Sequence, residues 1–221
     1  MRTDDSLGKD VQTDSSWTDS RFGGLEDPID QSFSGSERNK LYYNVPATEG
    51  RTFADLSTIS GLDSISDGRV FALWDFNRDG RSDVALSNSN SPSLNLFQNQ
   101  IETEHHFVAV KFVGGMTENP SEKRLTARDG FGAVVTFKLA DGMTIKREFR
   151  CGEGFAGQNS NTILVGIATA DAVAEVSVRW PSGITDSIQQ LESGTLLTLI
   201  ENGEDDVPRH ATEPYRPDSN K

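Results

Sequence analysis

The sequence has little of several residue types, and each shortage excludes a class of structure or site. Its single cysteine, Cys151, cannot form an intramolecular disulfide, and we expect it to be a small packing residue. Only three histidines are present, and the adjacent pair His105 and His106 would point to opposite faces of a strand. No apolar run reaches the ~20 residues of a membrane-spanning helix. We therefore expect no membrane span, no disulfide framework and no enzyme active site built on cysteine or histidine.

Positive charge is also scarce. The chain has 21 Lys and Arg residues against 34 Asp and Glu residues, which gives a formal net charge of −13. Such a field repels nucleic acids and anionic membranes, so cations and basic surfaces are the expected partners. The amino terminus, "MRTDDSLGKDVQTDSSW", lacks the apolar stretch of a signal peptide. The sequence alone therefore predicts a cytoplasmic start, unless Met1 is not the true start or export uses another route.

The composition changes along the chain and predicts four regions. Residues 1–36 are rich in Asp, Ser, Gly and Thr and are expected to be a disordered acidic leader, and residues 203–221 a disordered tail. Between them, short segments with period-two alternation are separated by Gly, Asp, Asn and Ser, which predicts an all-β fold. Within this part we place a first β segment at 37–101 and an antiparallel β-sandwich domain at 102–202.

Several segments carry the strand prediction in the sandwich domain. "HHFVAVKFVGG" places His106, Val108, Val110 and Phe112 on one face of a strand, and "VAEVSVRW" places Val176, Val178 and Trp180 on one face. Asp141 and Gly142 separate two alternating segments, which predicts a hairpin with a type I′ turn. "NTILVGI" and "TLLTLIEN" are further strand candidates, whereas "ITDSIQQLES" is the one segment that could form a short helical turn.

The stretch "WDFNRDGRSDVALSN", residues 74–88, spaces polar residues on alternate positions around Gly80. An EF-hand loop requires a closing Glu at position 12, but position 12 counted from Asp75 is Leu86, and both flanks resemble strands rather than helices. We interpret the stretch as a calcium loop between two strands. The predicted ligands are four side chains and one backbone carbonyl, that of Arg81: Asp75, Asn77, Asp79, Arg81 and Asp83.

Calcium suits this loop for a physical reason. Three carboxylates on one short loop repel one another, and a hard divalent cation with oxygen ligands removes that repulsion. Calcium fits better than magnesium because a flexible loop with mixed oxygen donors tolerates six to eight ligands. The alternative is an empty Asp/Asn/Gly turn in which the same side chains accept hydrogen bonds from backbone amides.

These motifs together resemble a known family. The loop is similar to the DxDxDGxxD calcium loops of FG-GAP or VCBS repeats, the blades of integrin-type β-propellers. Downstream, "RDGFGAVVTF", "GEGFAGQNSNTILVGI" and "VRWPSG" resemble the ASPIC/UnbV domain of cartilage acidic protein relatives. The resemblance covers roughly residues 38–202. It implies a truncated member in which a partial propeller-like blade precedes an ASPIC/UnbV-like β-sandwich.

The resemblance implies a non-enzymatic, calcium-binding β module with a role in adhesion or another protein or surface interaction. It also implies an extracellular or cell-surface location, although no signal peptide is visible. A closed propeller needs about four or more blades, and the chain has one complete calcium loop. Either the blade-like segment packs on the sandwich, or the chain completes itself by self-association through an exposed β edge.

Two other functions stay open from the sequence. One is carbohydrate binding by the loop at residues 152–161 with Trp180 or another aromatic residue, although a tryptophan on an apolar strand face is more often in the core. The other is an accessory role in an enzyme assembly. The GxGxxG pattern of "GEGFAG" does not predict a nucleotide site, because a strand rather than a helix follows it.

Overall fold

The computed structural model describes residues 37–46, 50–116, 125–202 and 209–216. The predicted acidic leader, residues 1–36, lies outside the described residues. The described residues form thirteen strands and one short helix, α1 (Ser57–Ser60), which confirms the prediction of an all-β fold. This helix, the only one in the described residues, is not long and apolar enough to span a membrane.

The chain divides into two compact units, residues 1–70 with 86–95 and residues 71–85 with 96–221. The first unit contains an antiparallel pair, β1 (Tyr42–Pro46) and β2 (Arg51–Asp55), followed by α1. A three-stranded sheet in the order β3-β4-β5 contributes residues to both units. Its strands are β3 (Gly68–Trp74), β4 (Asp83–Asn88) and β5 (Leu94–Phe97). The acidic loop connects β3 to β4 and belongs to the second unit.

The second unit is a sandwich of two four-stranded sheets. The first sheet has the order β11-β10-β7-β8 and the second the order β13-β12-β6-β9. The eight strands are β6 (Phe107–Val113), β7 (Val134–Lys138), β8 (Thr144–Glu148), β9 (Thr162–Gly166), β10 (Ala172–Arg179), β11 (Thr185–Glu192), β12 (Thr195–Ile200) and β13 (Arg209–Pro214).

One apolar core lies between these two sheets. The alternating faces predicted from the sequence supply it: Val108 and Val110 come from β6, and Val176 and Val178 from β10. Trp180 is fully buried, and its ring meets that of Phe112 edge-on with centroids 6.0 Å apart. Its indole Nε1 donates to Asp186 Oδ2 at 2.7 Å, so the one polar atom of the ring is satisfied. Each such side chain stabilises the fold by about 1.5–3 kcal/mol relative to exposure.

The sandwich contains one strand pair that the sequence did not predict. β6 and β12 are parallel, with Leu196 opposite Ala109 and Ile200 opposite Val113. A parallel pair needs a long connection, and the residues between these strands include β7 to β11, which supply it. The second sheet is therefore mixed rather than purely antiparallel.

The segment "ITDSIQQLES" is a strand and not a helical turn. It contains the whole of β11, which pairs antiparallel with β10 from Thr185 opposite Arg179 to Glu192 opposite Ala172. Ile188 and Leu191 are both buried although they are three residues apart. Gln190, between them, has a φ of 59°, and this left-handed residue changes the face that the strand presents. This local distortion explains why the two buried apolar residues have a spacing of three, which is typical of a helix.

The hairpin predicted at Asp141 and Gly142 is confirmed, but its turn differs. β7 and β8 pair antiparallel with Lys138 opposite Thr144. Gly142 has a φ of 87°, whereas Asp141 has no positive φ, so the turn is not type I′. Gly142 N donates to Leu139 O at 3.0 Å, which is typical of a type I turn followed by a left-handed glycine.

Two expectations about single segments also need correction. Cys151 is exposed, so it is not a packing residue. Residues 209–214, in the tail expected to be disordered, form β13 along the edge of β12. A polar segment with exposed side chains can still form a strand here because its backbone pairs with an existing sheet edge. The rest of that tail, residues 203–208 and 217–221, lies outside the described residues.

Candidate metal centre

The acidic loop, residues 75–83, turns back on itself between β3 and β4. The connection is too short for a parallel crossover, so the two strands are antiparallel. Arg78 and Gly80 both have positive φ, 56° and 86°. A Cβ added to Gly80 would lie 2.1 Å from Phe107 Cε1, so the position excludes every side chain on steric grounds as well as by its φ.

Two of the predicted ligands are buried and accept hydrogen bonds from backbone amides of the loop and of Asn99. Asp75 accepts hydrogen bonds from Asp79 N at 3.0 Å and Gly80 N at 2.7 Å. Asp83 accepts from Phe76 N at 3.1 Å and Asn99 N at 2.7 Å. Each carboxylate therefore holds two amide groups, which offsets part of the cost of its burial. An ionised carboxylate can accept about four hydrogen bonds, so both retain acceptor capacity.

The other two acidic-loop side chains are more exposed and contact each other. Asn77 Nδ2 donates to Asp79 Oδ2 at 2.9 Å, and Asn77 Oδ1 accepts from Asp79 N at 3.2 Å. Asp79 Oδ1 accepts from Arg81 N at 2.9 Å. All four predicted side-chain ligands therefore lie on one turn, and each accepts a hydrogen bond from a backbone amide.

Arg81 has a role that the sequence analysis did not predict. We predicted only its backbone carbonyl as a ligand, but its guanidinium forms an ion pair with Asp79 Oδ2 and donates through Nε to Asn99 O at 2.9 Å. The side chain therefore neutralises one of the three loop carboxylates. The sequence did contain a signal for this ion pair, because Arg81 follows Asp79 by two positions on a turn.

A second group of residues reaches the loop from the end of the chain. Tyr215 is 6% exposed, and its ring packs edge-on against Phe107 with centroids 5.4 Å apart. Arg216 donates to Arg78 O at 3.2 Å and to Asp79 O at 2.9 Å. Burial, together with the neighbouring Asp75 carboxylate, raises the pKa of Tyr215 to about 12. No sequence spacing relates these residues to the loop, so only the fold identifies them.

The acidic loop carries oxygen donors of the chemical type that calcium prefers. Three carboxylates and one amide offer hard oxygen ligands, and Asp75 and Asp83 have acceptor positions to spare. No group of three or more His, Cys, Asp and Glu side chains within the described ranges is arranged to hold a metal ion. The Asp79 carboxylate is instead paired with the Arg81 guanidinium.

A cleft of about 300 Å³ lies beside the acidic loop in the same unit. Trp74 and Asp75 line one part of it, and the glycine-rich loop at residues 152–161 lines another. Two amide side chains of the glycine-rich loop accept hydrogen bonds from the protein backbone. Gln158 Oε1 accepts from Gly152 N at 2.7 Å, and Asn159 Oδ1 accepts from Leu73 N at 2.8 Å. As expected, a strand, β9, follows this loop, so no helix terminus is present to bind a dinucleotide.

Glu201, in the second unit, is only 4% exposed. Its Oε2 accepts from Gly115 N at 2.9 Å and Thr126 N at 2.6 Å, and its Oε1 accepts from Thr126 Oγ1 at 2.9 Å. Ser182 Oγ donates to it as well. These four hydrogen bonds fill the acceptor positions of the Glu201 carboxylate. Glu201 therefore stabilises the fold by joining Gly115, Thr126 and Ser182.

The glycine-rich loop and the buried Trp180 both belong to the part of the chain that a comparison with known families matches. Residues 123–206 match the ASPIC and UnbV family model. This ASPIC/UnbV segment contains β7 to β12 and covers less than half of the chain. The acidic loop, β13, Tyr215 and Arg216 all lie outside it. No curated protein matches the chain. The likeness of residues 37–101 to FG-GAP or VCBS repeats stays a prediction.

Proposed function

We propose that this chain is a non-enzymatic calcium-binding β module that serves a protein or cell-surface interaction. The acidic loop carries the proposal, because one short turn contains three carboxylates and an amide side chain, the hard oxygen donors that calcium prefers. The ligands would be the side chains of Asp75, Asn77, Asp79 and Asp83 with the Arg81 carbonyl. Bound calcium would neutralise the loop carboxylates and stabilise the fold.

Thermal and urea unfolding in EDTA and in millimolar calcium tests this proposal. Free calcium at a hundred times Kd adds about 2.7 kcal/mol to the free energy of unfolding when only the folded state binds it. We expect the wild-type chain to gain stability and Asp79→Ala to lose that gain. Asp141→Ala is the matched control, since Asp141 also lies in a β turn before a glycine but far from the loop in sequence. A wild-type chain with equal stability in both buffers would refute calcium binding.

The interaction role is supported by charge. With a formal net charge of −13, the folded chain favours basic surfaces over acidic ones. Calcium binding would make the local charge less negative. The affinity of a partner that contacts the loop region would therefore depend on the calcium concentration. Partner binding at two calcium concentrations and two salt concentrations would separate this effect from general electrostatic attraction.

Carbohydrate binding is a second candidate, and the cleft beside the acidic loop is the observation that favours it. Trp180 cannot be a sugar platform because it is fully buried. Trp74 is 42% exposed and lines the cleft, and Arg147 and Glu153 add polar groups to the lining. Indole faces with polar groups around them suit the mixed polarity of sugars, and the cleft volume is at the lower end for small-molecule sites.

Titration with neutral hexasaccharides of glucose, mannose, xylose and N-acetylglucosamine tests this second function. Tryptophan fluorescence is a direct readout because Trp74 lines the cleft whereas Trp180 is enclosed in the core. We expect saturable binding that Trp74→Ala removes. Phe155→Ala is the matched control, because Phe155 is a highly exposed aromatic residue of the glycine-rich loop that does not line the cleft. No saturation with any of these sugars would eliminate the candidate.

A further inference from the structure

The C-terminal arm, residues 209–216, covers the edge of the second sheet of the sandwich. β13 pairs with β12 from Arg209 opposite Ile200 to Pro214 opposite Thr195, and β12 pairs with β6 on its other side. Because β13 is the last strand in the sheet order, β12 would be an edge strand without the arm. An edge strand presents unpaired amide and carbonyl groups to which another strand can bind. The edge of β12 is therefore a strand-binding surface that the arm occupies.

Backbone pairing and two residues beyond β13 hold the arm in place. All six residues of β13 are exposed, so the strand itself adds nothing to the core. The next residue, Tyr215, is 6% exposed and packs edge-on against Phe107. Arg216 donates to Arg78 O at 3.2 Å and to Asp79 O at 2.9 Å. Each of these contacts requires the sequence of the arm but not that the arm belongs to the same copy of the chain.

The β12 edge is suited to pairing with another strand. Four of the six residues of β12 are apolar, and the strand contains no charge and no proline. Uncharged segments of this length with high β propensity pair readily with other chains. The arm is a strand that already fits this edge in a defined register. Because every copy of the chain has both the edge and the arm, a reciprocal exchange between two copies leaves no edge uncovered.

Charge favours the arm of a second copy as the occupant of this edge. The arm has two arginines, Arg209 and Arg216, against one glutamate, Glu213, so its formal charge is +1, whereas the whole chain carries −13. A basic segment is attracted to the acidic remainder of any copy of the chain. The contact of Arg216 with the acidic loop is an example within one chain. The partner that the edge fits is therefore a second copy of this chain.

We propose that the C-terminal arm is an exchangeable strand, through which two copies of the chain form a reciprocal dimer. Residues 209–214 of one copy pair with β12 of the other in the register seen within one chain. Tyr215 and Arg216 then make their contacts with the sandwich and the acidic loop of that other copy. This interaction requires neither calcium nor a sugar, so it stands apart from both functions proposed above.

A disulfide between β12 and β13 can report which copy supplies the arm. Thr198 lies opposite Ala211 in the pairing of the two strands. Its neighbours Leu197 and Leu199 are buried in the core, so Thr198 points away from the core. Directly opposed residues of an antiparallel pair have the Cα separation that a disulfide needs. A cysteine pair at these two positions therefore links β12 to the arm without changing the core.

Cross-linking of two single variants of the full chain tests the exchange. In a Cys151→Ser background, one preparation carries Thr198→Cys and the other Ala211→Cys. The two are mixed in urea under reducing conditions, refolded together at high protein concentration in EDTA, and then oxidised. We expect a disulfide-linked heterodimer as the main cross-linked product. The matched control replaces Ala211→Cys by Thr212→Cys, whose side chain points to the other face of β13, and should give several times less heterodimer.

A chain that carries both Thr198→Cys and Ala211→Cys shows that the substitutions leave the strand pairing intact. We expect it to form a mixture of intrachain and interchain disulfides, with the interchain share rising with protein concentration during refolding. A peptide of residues 209–216 in excess should reduce the heterodimer of the single variants, whereas a scrambled peptide should not.

Three results would overturn the exchange. The first is a double variant that forms only the intrachain disulfide at every protein concentration. The second is a mixture of single variants that gives no more heterodimer than the control with Thr212→Cys. The third is a heterodimer yield that the arm peptide does not reduce, since the link would then arise from another contact. Because EDTA is present throughout, a failure of the chain to bind calcium does not alter any of these results.

Discussion

The acidic loop and the sandwich core belong to the same unit, but different interactions stabilise them. In the core, apolar side chains such as Val108, Phe137 and Trp180 are removed from water, and their contribution does not depend on ions. In the loop, the buried side chains are the carboxylates Asp75 and Asp83, each fixed by two amide groups. The core is complete by itself, whereas the loop has acceptor capacity that a cation would use. Calcium is therefore expected to stabilise the acidic loop and to leave the stability of the core unchanged.

The largest expected effect tests the core side of this comparison. Trp180→Ala should lower the free energy of unfolding by about 3–5 kcal/mol, because it removes a fully buried ring and the contact with Phe112. Urea unfolding measures this loss, and calcium should not restore it. Phe155→Ala, at a site 79% exposed, should change stability by less than about 0.5 kcal/mol. A Trp180→Ala protein rescued by calcium would break the distinction between the two regions.

A smaller effect tests the loop side. Asp83→Asn retains one acceptor oxygen but places an NH₂ group beside the amide of Phe76 or Asn99. We expect a loss of about 1–3 kcal/mol in EDTA, the cost of a buried polar group left without its partner. We also expect the calcium-dependent rise in stability to disappear, so the difference from wild type should grow when calcium is added. An unchanged calcium response in the variant would remove Asp83 from the ligand set.

The smallest effect concerns a carboxylate of the first unit that is not buried. Hydrogen bonds from the Ser57 hydroxyl and the Ser57 backbone amide, with a further one from Lys40, lower the pKa of Asp55 from 3.8 to about 2. A lowered pKa means that the folded state prefers the ionised form. Its contribution to stability is therefore present above about pH 4 and is lost as the pH falls through about 2.

NMR titration of the Asp55 side chain measures this shift. In Ser57→Ala the hydroxyl donor is absent, so the pKa of Asp55 should move back toward 3.8. Calcium should leave the pKa of Asp55 unchanged, because this exposed carboxylate belongs to the other unit and is not one of the proposed ligands. A calcium-dependent shift at Asp55 would show that the metal acts on a site outside the acidic loop.

Much of the fold followed from local pattern. Alternation predicted β6 and β10 with their buried faces, and the Asp141–Gly142 pair predicted the β7–β8 hairpin. The failures have a common cause. β11 carries a left-handed residue, Gln190, that breaks the period, and β13 has no apolar face at all. Both are strands because a neighbouring strand accepts their backbone hydrogen bonds, which is a tertiary effect.

The candidate site divides in the same way. The sequence alone determined which oxygen donors are near one another, because Asp75, Asn77, Asp79 and Asp83 alternate around Gly80 within one turn. It could not determine that Phe107, Tyr215 and Arg216 support this turn, since their separation along the chain leaves no spacing to detect. Pairing of β13 with β12 decided that, because backbone hydrogen bonding at a sheet edge depends on position in space and only weakly on side-chain type.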